Sequence, residues 1–128
     1  MTLDVINPSQ ESPMTMTLYH NPRCMKSREA LELIRSKGIE PVIREYLKDP
    51  PDAATLVSVL KKLGIPPRAL LRTKELPYKA LHLSDQSLAD QVLIEAMVTH
   101  PILIERPILI GLDAAVIGRP PERVLSIL

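Results

Sequence analysis

The sequence has no tryptophan, no phenylalanine and one cysteine among its 128 residues. With Tyr19, Tyr46 and Tyr78 as the only aromatics, the interior has to be filled by aliphatic side chains. A single cysteine excludes an internal disulfide, the usual staple of secreted domains, and points to a cytoplasmic location. Charge of one sign is missing too. Sixteen Lys and Arg face 15 Asp and Glu, which leaves no broad basic surface for a nucleic acid. No apolar run approaches the roughly 20 residues needed to cross a bilayer, and the first residues lack the basic-then-apolar order of a signal peptide. The three histidines, His20, His82 and His100, share no metal-ligand spacing, so no metal is expected. What remains is a single domain's length of chain, enough to bury a core and too short for two.

The chemistry concentrates in Tyr19 to Arg28, YHNPRCMKSR, which holds the cysteine. Thr17-Leu18-Tyr19 is β-prone, and Ala30, Leu31, Leu33 and Ile34 recur at helical spacing, so this stretch turns from a strand into a helix. Cys24 then falls at the first turn of that helix, where free backbone N–H groups and the positive end of the dipole favour a thiolate. Arg23, Lys26 and Arg28 add positive charge, and His20 lies on the near side, all favouring the anion. The same helix start suits an oxyanion. An inert buried thiol is the competing reading, because free cysteine packs as a small hydrophobe. Ser27 makes the spacing C-x-x-S, so no resolving thiol lies within the chain. Any adduct on Cys24 then needs an external thiol, glutathione or a partner protein; a solvent-facing Ser27 is the alternative.

Residues 1–15 are polar and aperiodic and are expected to form a disordered leader; Met14 and Met16 also fit an upstream start. The domain, 16–128, opens with the strand at Thr17. Its first helix runs to about Lys37 with Gly38 at the end, and Val42 to Leu47 alternates as a second strand, completing a βαβ unit. A helical insert over about 52–100 follows. Asp52 caps Ala53 to Leu63, where Leu56, Val57, Leu60 and Leu63 form one apolar face, and Gly64 closes that helix. Pro66-Pro67 opens a short helix through Leu71, and Ser87 to Thr99 forms another with Leu88, Val92, Leu93, Ala96 and Met97 inward. Ile102 to Gly111 is a loop and a buried strand, Ala115 to Gly118 a last strand by hairpin, and Arg123 to Leu128 a closing helix. The class is α/β: a thioredoxin-like, glutaredoxin-like mixed four-stranded sheet with a βαβ front half, an antiparallel ββα back half and the insert between them.

Arg72, Arg106 and Arg119 stand at element ends rather than on amphipathic faces. Guanidinium suits a tetrahedral oxyanion because its planar fork donates paired hydrogen bonds and stays charged. In a thioredoxin-like layout the loop before the third strand packs on the cysteine loop, which brings Arg106 toward Cys24 and makes Pro107 the place for a cis-proline. Solvated side chains or surface ion pairs are the competing reading for each arginine.

Four motifs in order, YHNPRCMKSR, RALLR at Arg68 to Arg72, HPILIERPI at His100 to Ile108 and IGRPPERVLSIL at the end, carry a family resemblance. Over residues 17–128 the chain resembles the glutaredoxin-coupled, glutathione-dependent arsenate reductases of the thioredoxin-like superfamily. The resemblance implies that Cys24 is the catalytic cysteine, helped by His20, and that Arg72, Arg106 and Arg119 bind the oxyanion. Asn21, Ser27, Arg28 and Pro107 fall in the matched motifs as supporting residues. It further implies arsenate as substrate, glutathione as reductant co-substrate, glutaredoxin as partner and no bound cofactor. Met25 and Lys26 follow the cysteine where members of that family commonly have small residues, which puts bulk and a charge at the anion loop. Two other activities share the fold: a glutathione-linked thiol transferase, which has little use for three arginines, and a non-enzymatic redox-responsive regulator, whose usual C-x-x-C switch Ser27 lacks. A carrier of an iron–sulfur cluster also fits C-x-x-S spacing.

Overall fold

The computed structural model describes residues 15–128, so the expected leader lies outside them apart from Thr15. Strand β1 (Thr17–Tyr19) leads through the cysteine loop into α1 (Met25–Ser36), and β2 (Val42–Arg44) returns parallel to β1. Helices α2 (Ala53–Leu63), α3 (Leu76–Ala80) and α4 (Asp90–Thr99) follow. Strands β3 (Ile108–Ile110) and β4 (Ala115–Ile117) then complete a sheet of order β2-β1-β3-β4, antiparallel from β1 onward. Tight 3-10 turns occupy Pro67–Leu70, Pro101–Leu103 and Pro121–Ile127. This is the thioredoxin-like arrangement that the sequence pattern predicts.

The sheet separates two aliphatic cores because successive strand residues point to opposite faces. Tyr19 and Ile108 face α2, α4 and the insert, joining Leu56, Leu60, Leu93, Met97 and Leu103; Leu18, Leu109 and Val116 face α1 and the C-terminal turn, joining Ala30, Ile34 and Val124. Asp52 caps α2 by accepting the Thr55 N–H at 2.8 Å, and Gly64 ends it in the left-handed region at φ 70°, a conformation that glycine adopts without strain.

Some boundaries differ from those expected. Strand β2 stops at Arg44 because Glu45 begins a turn, its carbonyl accepting the N–H groups of Lys48 and Asp49; Tyr46 is anchored in the core as part of that turn. Val92, expected inward, is 45% exposed. Helix α4 begins at Asp90 and buries Leu93, Ile94, Ala96 and Met97, and at about 100° per residue Val92 falls beyond the edge of that stripe. The closing segment is 3-10, not α-helical, and starts at Pro121; its first bond runs from Arg123 N–H to the Pro120 carbonyl. Helix α3 went unanticipated because it is short and buries none of its residues, so no apolar period marks it.

Candidate active site

The cysteine loop is a local construction. Strand β1 ends where His20 N–H donates to the Arg44 carbonyl at 2.9 Å, and the chain folds back so that Cys24 N–H reaches the Asn21 carbonyl at 2.9 Å. Cys24 is the N-cap of α1, just ahead of the first turn, and is partly exposed. Ser27 is fully buried, not solvent-facing; its hydroxyl shares a 2.7 Å hydrogen bond with His20 Nδ1 and accepts the Asn21 N–H at 3.0 Å. Asn21 Oδ1 accepts the Arg23 N–H, and Arg28 Nη1 donates to the Pro22 carbonyl at 2.8 Å. Asn21, Ser27 and Arg28 thus shape the loop from within, and His20 bears on it through Ser27.

Burial pushes the Cys24 thiol up, but the Ser27 backbone N–H, the Arg106 guanidinium and the Lys26 backbone N–H outweigh it, leaving the pKa below that of an ordinary thiol. The loop's own basic side chains, expected to supply this effect, are not its source: Arg23, Lys26 and Arg28 are exposed, where water screens them. Met25 is 64% exposed and turned outward, so it does not fill the anion loop. Burial also lowers the His20 pKa, against a smaller opposing influence from Glu45, so the imidazole is neutral near pH 7.

The arginines arrive from three distant segments. An antiparallel bridge, Leu71↔Ile104, with Arg72 N–H on the Leu103 carbonyl and Glu105 N–H on the Leu70 carbonyl, lays the end of RALLR beside the start of ERPI. Arg106 precedes Pro107 through a cis peptide bond, as does Arg119 before Pro120. Gly118 allows the two segments to touch: a Cβ there would stand 2.9 Å from Pro107 Cγ, and its N–H donates to the Pro107 carbonyl. Arg119 Nε then donates to the Arg106 carbonyl at 2.8 Å, and its Nη2 lies 3.9 Å from Cys24 Sγ. Arg106 faces both Cys24 and Tyr46, and Arg72 lies near enough to act on the Tyr46 hydroxyl. All three arginines thus gather on the sulfur's side of the fold.

Two residues of this site escaped the sequence reading. Glu105 ties Arg72 to Arg119, accepting from Arg72 Nη1 at 2.6 Å and lying 3.1 Å from Arg119 Nε. Tyr46 is wholly buried, stacks on Tyr19 at 6.2 Å between centroids, and has its pKa pushed up to about 12 by burial. The Tyr46 hydroxyl and Arg106 Nε and Nη1 are buried with no hydrogen-bond partner among the described residues. Buried donors of this kind are costly unless something occupies them. Nothing local marked either residue; the Leu71↔Ile104 bridge is what brings Glu105 to its arginines.

The fold and the site together define a thioredoxin-like domain with one activated thiol facing a cluster of guanidinium groups. The model of the ArsC family matches residues 19–127, and the chain belongs to that family. It is 54% identical over 111 residues to the uncharacterised protein YfgD of Escherichia coli K12, covering 86% of this chain and 93% of that one. It is 49% identical over 116 residues to an arsenate reductase of Haemophilus influenzae, covering 90% of this chain and 100% of that one. Among solved structures, an arsenate reductase from Vibrio cholerae superposes with a TM-score of 0.88 at 46% identity, covering 90% of this chain and 98% of that one.

Proposed function

We propose that the protein reduces arsenate to arsenite, with Cys24 as nucleophile and external thiols as the source of electrons. The observation that carries the reading is the juxtaposition of a sulfur of lowered pKa with Arg119 Nη2 at 3.9 Å and with the unpartnered, buried N–H groups of Arg106. Arginine donors held in place before the anion arrives stabilise the charge that builds on its oxygens during attack. Cys24 thiolate attacks arsenic, an As–S bond forms, and one oxygen leaves as water after protonation. Arg106 and Arg119, with Arg72 behind them, hold the remaining oxygens; His20 and Ser27 keep the loop and its N–H groups aimed at the sulfur.

The chain's single thiol cannot finish the reaction, since two electrons must reach arsenic. Glutathione displaces a further oxygen to give an adduct bearing both sulfurs. Glutaredoxin thiolate then takes the glutathionyl sulfur as a mixed disulfide, and the electron pair left behind converts As(V) to As(III). Hydrolysis releases arsenite and regenerates Cys24. A cavity of about 320 Å³ beside the loop, lined by Asn21, Arg23, Leu47 and the Glu45–Lys48 ion pair, gives a thiol co-substrate a place next to the cysteine loop. The testing experiment is turnover of arsenate by the full chain with glutathione, glutaredoxin, glutathione reductase and NADPH. Arsenate-dependent NADPH oxidation that stops when either thiol is omitted is expected. Turnover sustained by thioredoxin alone would keep the arsenate chemistry and reject the glutathione route, and inactivity with every thiol donor would reject the reading.

A further inference from the structure

Glu105 stands among the arginines that were expected to be free for an anion. One oxygen, Oε1, lies 2.6 Å from Arg72 Nη1 and 3.1 Å from Arg119 Nε, and accepts the Arg106 backbone N–H at 3.1 Å. Arg72 is engaged on its other edge as well, Nε reaching Glu75 Oε2 at 3.1 Å. The carboxylates of Glu75 and Glu105 therefore already offset part of the charge of Arg72 and Arg119 before any ligand enters. The donors on the sulfur's side are Arg119 Nη2, 3.9 Å from Cys24 Sγ, and the Arg106 guanidinium, which lies against Cys24 and Tyr46 and whose buried Nε and Nη1 have no hydrogen-bond partner among the described residues.

We propose that Glu105 is a specificity-determining residue that tunes this site to singly charged tetrahedral oxyanions and against doubly charged ones. The proposal rests on the reading of the site as an oxyanion site. Glu105 cannot withdraw from an incoming anion without breaking its ion pairs to both Arg72 and Arg119, and its side chain is only 27% exposed, so water screens it little. A second negative charge on the ligand meets that fixed carboxylate, whereas a single charge is met by the guanidinium groups of Arg106 and Arg119 on the sulfur's side. Discrimination comes from the repulsive group as much as from the attractive ones. Near neutral pH arsenate exists in both charge states, so Glu105 selects which of them Cys24 attacks. The singly charged form is also the easier target for an anionic sulfur.

Unreactive ions separate this from catalysis. Perrhenate is tetrahedral and singly charged, sulfate tetrahedral and doubly charged; binding of each to the reduced full chain is measured by isothermal titration near neutral pH. The chain as it stands should prefer perrhenate. Glu105→Gln should raise sulfate affinity about tenfold and move perrhenate by less than about threefold, while Glu105→Asp, which keeps the charge, should keep the original preference. If Glu105→Gln does not fold, the shorter neutral Glu105→Asn carries the same expectation. Equal weakening of both ions in the neutral variant would make Glu105 a scaffold for the arginines and overturn the proposal, as would an unchanged sulfate affinity. Binding of neither ion by the unaltered chain would overturn the oxyanion reading along with it; binding of both without preference would overturn only the assignment to Glu105.

Discussion

The cysteine loop and the arginine cluster face each other but are held together in opposite ways. The loop is one stretch of chain whose bonds, Cys24 N–H to Asn21, Ser27 to His20 and Arg28 to Pro22, all close within a few residues. The cluster is drawn from Arg72, Arg106 and Arg119, and its connections run through Glu105 and the Arg106 carbonyl across long sequence separations. Local hydrogen bonds of backbone and side chain fix the sulfur, and a shared carboxylate fixes the charges brought to it. The difference implies that the loop fails by losing its shape, while the cluster fails by losing its charge balance.

Substitutions that strike one half and spare the other test this division. The largest effect belongs to Cys24→Ser: arsenate reduction in the coupled assay should fall to the uncatalysed background while the far-UV circular dichroism spectrum is unchanged. Retained turnover would break the division outright, because no other thiol exists in the chain. Next comes Arg119→Ala, which removes a donor 3.9 Å from the sulfur and should lower kcat/KM for arsenate on the order of a hundredfold or more. Alkylation of Cys24 should persist in that variant, and a thiol transferase activity, if that were the true function, would survive it.

Ser27→Ala attacks the loop instead. It leaves the Asn21 N–H and His20 Nδ1 without their shared partner and should cost about 1–3 kcal/mol in denaturant unfolding. A smaller effect concerns the sulfur's titration. The rate of Cys24 alkylation should rise with pH to a plateau with a midpoint below that of an ordinary thiol, and Arg106→Met should move the midpoint up by removing one of the groups that favour the thiolate. An unmoved midpoint would assign the lowered pKa to the loop's N–H groups alone. The smallest expected effect is on stability. The folded chain holds the His20 pKa below its unfolded value of about 6.5. The unfolded state therefore binds the extra proton, and stability should fall as pH drops from that value toward the folded one. His20→Gln should flatten that slope.

Helices α1 and α2 were legible because their signals are local. The apolar period of Ala30 and Ile34, the Asp52 cap and Gly64 each report on a handful of neighbouring residues. Where the signal depended on the neighbours across the fold it held for Arg106, which faces Cys24, and misled elsewhere. Glu45-Tyr46-Leu47 alternates like a strand, yet Tyr46 alternates because it anchors a turn in the core. Charge at the thiol was misattributed for a related reason: a basic side chain counts in sequence whether it points at the sulfur or into water, and those of Arg23, Lys26 and Arg28 lie exposed. Glu105 was overlooked since a lone carboxylate between Ile104 and Arg106 has no periodic signature, and only the Leu71↔Ile104 bridge gives it two arginine partners.

By itself the sequence determined where the thiol sits, at the strand-to-helix turn, because capping, dipole and periodicity act within one or two turns of chain. It also determined that no second thiol is available within the chain, which is a matter of composition. Only the tertiary structure decided how the arginines expected near the thiol are paired, through Glu105 and the Arg106 carbonyl. Ion pairing depends on distances of a few ångströms between residues far apart along the chain, and Arg72, Glu105, Arg106 and Arg119 reach those distances only after the bridge at Leu71 and the close approach of Gly118 to Pro107 have formed.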